Sequence, residues 1–181
     1  MNKNIEVEVR SFISKTKYYS LIKFFKENSS LVKEDNQETI YFDSKKDLRI
    51  QKNNFTSKIW LKGGKIHDDF REEIEVHTEK KDFEKLKKLF NSLGYKEEIK
   101  WLRKRKEFKW NGIKVCLDYT VGYGYIVELE KMSNSKNKEK DFSLLKLKLE
   151  FLKIKETPRE EFEKAFKYYQ KNWKTLIKKR L

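Results

Sequence analysis

The sequence predicts an α+β fold in which eight antiparallel strands close into a β-barrel with helices packed on its outside. Two patterns support this fold: some segments alternate between apolar and charged residues, and others repeat apolar residues at helical spacing. Eight antiparallel strands can close on themselves and leave an interior lined by side chains. At 181 residues we expect one domain over residues 1–181, with the barrel strands in residues 4–131 and C-terminal helices in residues 138–180.

The elements can be placed along the chain from these two periods. Alternation predicts strands at residues 5–10, 39–42, 48–52, 56–62, 70–77, 100–110, 113–119 and 125–131. Helical spacing predicts helices, with their caps, at residues 15–28, 78–94, 142–152 and 157–176. Asn111-Gly112 is a strong hairpin signal, Thr78 is expected to cap the second helix, and a capping box at Thr157 is expected to open the last. We expect the aromatic face of that last helix to lie on the barrel exterior.

The composition excludes several classes of protein. No apolar run is long enough to cross a bilayer and no signal-peptide pattern occurs, so we expect a cytoplasmic protein. A single cysteine, Cys116, excludes an internal disulfide, and with only two histidines it excludes the common structural zinc sites. Any metal ion should therefore be a hard cation that carboxylates bind.

The charge and the choice of basic residue bear on the partner. The formal net charge is +15, which indicates an anionic partner or, equally, a lysine-rich surface of no special function. Arginine is rare in this chain, and five of its seven arginines lie in predicted strands. Because the planar guanidinium binds phosphate and carboxylate in a bidentate way, these positions favour phosphate or carboxylate contacts.

The charged side of the predicted strands is the candidate site. It comprises Glu6, Glu8, Arg10, Arg49, Lys58, Lys62, Arg71, Glu73, Glu75, Arg103, Arg105, Asp118, Glu128 and Glu130. A sheet with one face in water would also explain the alternation. Three features favour a charged side that faces inward. They are Glu-x-Glu pairs on three strands, arginines placed among them, and amphipathic helices whose apolar faces need the apolar side of the strands to pack against. Buried carboxylates and arginines need counter-charges, because their removal from water costs free energy. A triphosphate with divalent cations would neutralise both charge types.

Eight short motifs occur in order along residues 5–131. They are Glu6-x-Glu8-x-Arg10, Tyr41-Phe42-Asp43, Leu48-Arg49-Ile50, Leu61-Lys62-Gly63, Arg71-Glu72-Glu73-Ile74-Glu75, Arg103-x-Arg105, Leu117-Asp118 and Gly122-x-Gly124-Tyr125-Ile126-Val127-Glu128-Leu129-Glu130. In this order they resemble the motifs of the CYTH superfamily, the triphosphate tunnel metalloenzymes. The superfamily includes class IV adenylyl cyclases and thiamine triphosphatases, and the likeness is greatest to the cyclase-like branch.

The resemblance implies a triphosphate tunnel, a small-molecule triphosphate substrate and Mg²⁺ or Mn²⁺ as cofactor. It implies that the metal-side carboxylates are Glu6, Glu8, Asp118, Glu128 and Glu130. With the charged strand faces, it indicates that the triphosphate is held by Arg10, Arg49, Lys58, Lys62, Arg71, Arg103 and Arg105. Arg10, Glu73 and Glu75 are the candidate catalytic residues. Arg10 stands where the family usually has lysine, and Gln51 where it often has arginine.

Three functions remain open from the sequence. The leading hypothesis is a metal-dependent phosphohydrolase acting on a nucleoside triphosphate, tripolyphosphate or thiamine triphosphate. The second is a class IV adenylyl cyclase that makes cyclic AMP and pyrophosphate from ATP. The third is a non-catalytic binder of polyphosphate or of RNA 5′-triphosphate ends, motivated by the net charge and by Gln51. We expect no membrane partner, no nucleic-acid partner beyond such RNA ends, and a monomer or homodimer.

Overall fold

The computed structural model describes residues 5–64 and 70–178, and it shows an α+β chain with an antiparallel sheet and four α-helices in these ranges. The strands are β1 (Ile5–Ile13), β2 (Ser30–Phe42), β3 (Asp47–Lys52), β4 (Thr56–Lys62), β5 (Phe70–Arg71), β6 (Glu73–Glu79), β7 (Glu97–Trp110), β8 (Ile113–Thr120) and β9 (Gly124–Ser133). The helices are α1 (Lys15–Asn28), α2 (Phe83–Ser92), α3 (Lys138–Phe151) and α4 (Arg159–Lys178). None of the described helices is long and apolar enough to cross a membrane.

The strands form one sheet in the order β5-β1-β9-β8-β7-β2-β3-β4-β6. The predicted fifth strand is divided at Glu72 into β5 and β6, so nine strands are described instead of eight. These two pieces are the ends of the sheet order. Arg71 of β5 pairs with Glu6 of β1, and Glu73 of β6 pairs with Lys62 of β4. One short stretch of chain therefore contacts both ends of the sheet.

Both faces of the sheet bury side chains, and alternation assigns each residue to one of them. On β1, Val7 and Val9 point outward and are at most 2% exposed, within an apolar core that includes Phe25 of α1 and Leu145 of α3. Glu8, between the two valines, points to the other face and is also buried. The charged face is therefore covered, and the alternative of a sheet with one face in water is wrong for this strand.

Two local predictions differ from the structure. β2 begins at Ser30 and not near residue 39, because Leu31 and Val32 are adjacent and residues 33–38 are polar, so its first half shows no apolar alternation. Thr78 does not cap a helix: β6 continues to Glu79, and a 3₁₀ turn at Lys80–Asp82 leads into α2. The hairpin prediction is confirmed, since Asn111 and Gly112 both have positive φ, 50° and 76°.

Helix α4 packs across β7, and its side chains form hydrogen bonds to the backbone of that strand. The Tyr169 hydroxyl donates to the Lys100 carbonyl oxygen at 2.9 Å, and the Trp173 indole N–H donates to the Glu98 carbonyl oxygen at 2.9 Å. Ahead of the helix, the Thr157 hydroxyl accepts the Phe12 N–H at 2.9 Å, so this side chain anchors α4 to β1. The prediction of a purely exterior helix is wrong, because two of its phenylalanines line the cavity described next.

Candidate active site

The inward face of the sheet lines a cavity of about 390 Å³, within the range of small-molecule sites. Twelve of the fourteen candidate site residues lie on its wall: Glu6, Glu8, Arg10, Arg49, Lys58, Lys62, Glu73, Glu75, Arg103, Arg105, Glu128 and Glu130. Asp118 is buried beside this wall and bonds to two of its arginines. The Arg71 side chain lies outside what the structure describes, although its backbone pairs with β1.

Three carboxylates converge at one place on this wall. Glu6 and Glu8 come from β1, and Glu130 of β9 is the register partner of Glu8. One oxygen from each lies within 4.8 Å of the others. Burial raises the pKa of Glu8, and burial raises that of Glu130 to about 7 although the Lys114 ammonium opposes it. Clustered carboxylate oxygens that resist ionisation fit a hard divalent cation, which would relieve their repulsion.

Cys116 of β8 lies next to this group. Its thiol donates to a Glu130 carboxylate oxygen at 3.6 Å, and its sulfur also lies within 4.8 Å of Glu128. Burial raises the pKa of the Cys116 thiol well above its usual range. Because the thiolate is the nucleophilic form, this environment suits a structural role and not a nucleophilic one.

Two arginines of β7 are fixed by one aspartate. The Arg105 guanidinium donates to both oxygens of Asp118, at 2.8 and 2.6 Å, and Arg103 donates to the second oxygen at 3.0 Å. Arg105 also donates to Glu128. Burial opposes ionisation of Glu128, but the charges of Arg105, Arg103 and Arg10 lower its pKa to about 2. Asp118 thus orients the arginines, whereas Glu128 stays ionised beside them.

Strands β3 and β4 contribute basic side chains to the same wall. Arg49 donates two parallel hydrogen bonds to Asp47, at 2.6 and 2.5 Å, which fix its guanidinium plane. Lys62 bonds Glu6 at 3.2 Å and also pairs with Glu73. Lys58 pairs with Glu75. Glu73 and Glu75 therefore each hold a lysine, as expected for residues that orient basic groups.

An indole lies among these cations. The ring centroid of Trp60 is 3.9 Å from the Lys58 nitrogen, 4.3 Å from the Lys62 nitrogen and 5.0 Å from the Arg49 guanidinium carbon. The pairing explains this cluster, because Lys58 and Lys62 flank Trp60 at two residues on the same strand face and Arg49 is its partner on β3. Stacking on an aromatic face stabilises cations without neutralising them. The indole therefore adds a second kind of contact to cations that already pair with carboxylates.

Sequence reasoning missed two features of this site. Asp47, which fixes Arg49, was not singled out, although its spacing from Arg49 places both on one strand face. The aromatic lining from Tyr41, Trp101, Tyr123, Phe162 and Phe166 was also missed. Tyr41 and Trp101 share the inward parity of their strands, but the phenylalanines of α4 carried no signal that distinguished cavity from packing.

Comparison with known proteins identifies the family. Residues 4–167 match the CYTH domain. A putative adenylate cyclase of Methanocaldococcus jannaschii is 34% identical over 160 residues, covering 82% of this chain and 88% of that protein. A conserved hypothetical protein of Pyrococcus furiosus has 27% identity and a TM-score of 0.70, covering 83% of this chain and 91% of its own.

A more distant structure shares the fold alone. A Hippeastrum protein, described as a putative adenylyl cyclase with a dominant triphosphatase activity, has a TM-score of 0.61 at 18% identity, covering 83% of this chain and 88% of its own. The family match extends over most of the sequence, and its described part contains the paired carboxylates and the opposed cations. This chain belongs to the CYTH domain family.

Proposed function

We propose that this protein is a divalent-metal-dependent phosphohydrolase that acts on a triphosphate in the cavity. The observation that carries the proposal is the presence of clustered carboxylates and clustered cations on one wall. Glu6, Glu8 and Glu130 bring carboxylate oxygens within 4.8 Å of one another, and buried arginines and lysines line the same space. A triphosphate with divalent cations supplies counter-charges to both groups.

Glu6, Glu8 and Glu130 would hold Mg²⁺ or Mn²⁺, with Glu128 beside them. A bound divalent cation supplies Lewis-acid polarisation of a phosphoryl oxygen and an activated water. Three buried carboxylates with hard oxygen donors suit these ions. Asp118, whose oxygens bond Arg103 and Arg105, would act by positioning those arginines.

The basic residues would bind and orient the phosphates. Arg49, Arg103 and Arg105 present guanidinium groups that aspartates already hold in place, so little ordering is needed when substrate binds. Lys58, Lys62 and Arg71 would add charge, and Arg10 lies beside Glu8, a proposed metal ligand, at 3.1 Å. Catalysis of phosphoryl transfer depends mainly on such positioning and on electrostatic stabilisation.

A closed tunnel is part of this proposal. The chain continues from β5, at one end of the sheet order, to β6 at the other, and Lys62 of β4 bonds Glu6 of β1 at 3.2 Å. These links support closure of the sheet around the cavity in a single domain. Closure would exclude water from the charges and strengthen each interaction with the phosphates.

Adenylyl cyclase activity is the second candidate, favoured by the 34% identity to the Methanocaldococcus protein named as a putative adenylate cyclase. In that reaction the ribose 3′-oxygen attacks the α-phosphorus of ATP, forms the cyclic phosphodiester and displaces pyrophosphate. Hydrolysis of the terminal phosphate gives orthophosphate and a diphosphate. The two activities therefore differ in their products.

The deciding experiment is a product assay with ATP, tripolyphosphate and thiamine triphosphate, each with Mg²⁺ and with Mn²⁺. Orthophosphate formation that Glu6→Gln/Glu8→Gln abolishes would support the hydrolase. The matched control is Glu27→Gln/Glu161→Gln, which changes two exposed glutamates. Cyclic AMP would replace the proposal with the cyclase, and binding without turnover, insensitive to Glu6→Gln/Glu8→Gln, would indicate a receptor.

A further inference from the structure

The cavity has two chemically different ends. In the pairing of β2 with β7, Lys33 faces Glu107 at one end, and their side chains form an ion pair at 3.8 Å. Tyr41 lies about 25 Å further along β2, given the rise per residue of a strand. Trp101, the register partner of Thr39, lies near it on β7. Charged residues therefore mark one end of the cavity and aromatic residues the other.

Four elements contribute rings to what we call the aromatic end: Tyr41 of β2, Trp101 of β7, Tyr123 from the β8–β9 turn, and Phe162 and Phe166 of α4. The Trp101 and Tyr123 ring centroids are 4.5 Å apart. Phe166 lies 6.2 Å from Tyr41 and 6.4 Å from Trp101. These distances suit aromatic contact, and the same side chains line the cavity.

The aromatic end borders two of the cations that we propose to bind phosphate. The Arg49 guanidinium carbon lies 4.2 Å from the Tyr41 ring centroid, and that of Arg10 lies 4.9 Å from the ring of Phe162. A triphosphate that these two arginines contact would lie beside the rings, so that a substituent at its end could reach them. Inorganic tripolyphosphate has no such substituent.

We infer that the aromatic end binds a planar heteroaromatic group and so selects organic triphosphates over inorganic tripolyphosphate. The inference rests on the proposed function, since the cations must hold the phosphates beside the rings. An aromatic side chain can stack on any planar ring. Stacking therefore favours a substrate that has a ring over one that has none, and it discriminates less between one base and another. Phe166 is the best residue to change, because it is only partly buried in the structure.

The test compares kcat/KM for ATP, thiamine triphosphate and tripolyphosphate in the wild type, Phe166→Ala, Phe166→Tyr and Phe151→Ala. We expect the ratio of ATP to tripolyphosphate to fall about tenfold in Phe166→Ala, within the range measured for base stacking. Phe166→Tyr, which keeps the ring, should retain the ratio. Phe151 is 66% exposed on α3, so its replacement should leave the ratio unchanged. The ATP and thiamine triphosphate arms show which ring is preferred.

Each outcome decides between the proposals. An equal loss for ATP and tripolyphosphate in Phe166→Ala, or no loss for either, would overturn the inference while turnover by the wild type upholds the proposed function. If no triphosphate is turned over, the proposed function fails, and equilibrium dialysis of ATP and tripolyphosphate with the same variants tests the inference alone. Phe166→Leu replaces Phe166→Ala if thermal unfolding shows that the alanine variant does not fold.

Discussion

Strands β1 and β6 have similar alternating sequences, and yet the structure treats their outer faces differently. The outward valines of β1, Val7 and Val9, are at most 2% exposed, whereas Ile74 and Val76 of β6 are 63% and 52% exposed. β1 lies beneath the apolar core that α1 and α3 complete. The difference shows that alternation predicts a strand and its inward face but not what covers the outward face.

The two regions also contribute different charged groups to the cavity. β1 and its neighbour β9 supply the converging carboxylates, whereas β4 and its neighbours β3 and β6 supply Arg49, Lys58 and Lys62 with their acidic partners. In our proposal the well-covered region holds the metal ion and the less covered region holds the phosphates. A rigid support suits the metal ligands, because their geometry must be kept closely.

The largest effect is expected at Lys62, which joins the two regions through Glu6 and Glu73. Lys62→Met removes a buried cation that two carboxylates share, and we expect a loss of about 3 kcal/mol in the free energy of unfolding. Urea denaturation measures it. Lys164→Met, at an exposed position on α4, is the control and should change stability little. A loss below about 1 kcal/mol would mean that the two regions are not joined by this ion pair.

The comparison of the outer faces is tested by a matched pair of substitutions. Val9→Ala removes buried methyl groups from the core, and we expect about 2 kcal/mol of destabilisation from the lost transfer energy and the cavity left behind. Val76→Ala changes an exposed side chain, and we expect less than about 0.5 kcal/mol. Equal losses in urea denaturation would show that the outer face of β6 is covered in solution.

The division of labour between metal and phosphate predicts a reciprocal pair of kinetic effects. Arg49→Lys loses the two parallel hydrogen bonds to Asp47, and we expect KM for triphosphate to rise about tenfold, as for loss of a charged hydrogen bond. The Mn²⁺ concentration for half-maximal activity should stay the same. Glu8→Asp should do the reverse, because it shortens a metal-side carboxylate. If both parameters move together in both variants, the two regions do not have separate roles.

Much of this architecture could be predicted from residues with a strong period. Alternation in residues 5–10 identified β1 and the inward side of Glu6 and Glu8, and Asn111-Gly112 fixed a turn. The first half of β2 escaped because hydrophilic residues occur on both of its faces. The position of Phe166 on the cavity wall was not predicted for a different reason. The sequence of a helical apolar stripe is the same whether the stripe faces a core or a cavity. Pairings between distant strands, such as that of Lys62 with Glu6, depend on how the fold brings β4 close to β1 and not on local sequence.

The smallest effect concerns protonation within the carboxylate region, measured in EDTA. Burial raises the pKa of Glu130 from 4.5 to about 7 in the folded protein. Between these values the folded state holds a proton that the unfolded state has released, so stability decreases as pH rises from about 4.5 to about 7. Glu130→Gln should flatten this slope in urea denaturation. An unchanged slope would show that Glu130 is ionised in the folded protein.

Glu128 lies on the same strand as Glu130 and serves as the control. It is expected to change the free energy of unfolding with pH in the opposite direction. Burial opposes its ionisation, but the neighbouring arginines lower its pKa from 4.5 to about 2. The unfolded state then binds the proton first, so this group contributes stability above about pH 4.5 that is lost as pH falls toward about 2. Glu128→Gln should therefore flatten the acid side and change the slope near pH 6 less than Glu130→Gln does, because the charge of Glu128 is the smallest of the causes that act on the pKa of Glu130. Because three arginine charges act on Glu128 whereas burial and the charge of Glu6 oppose ionisation of Glu130, opposite slopes would separate the carboxylate that arginines keep ionised from the one that retains a proton.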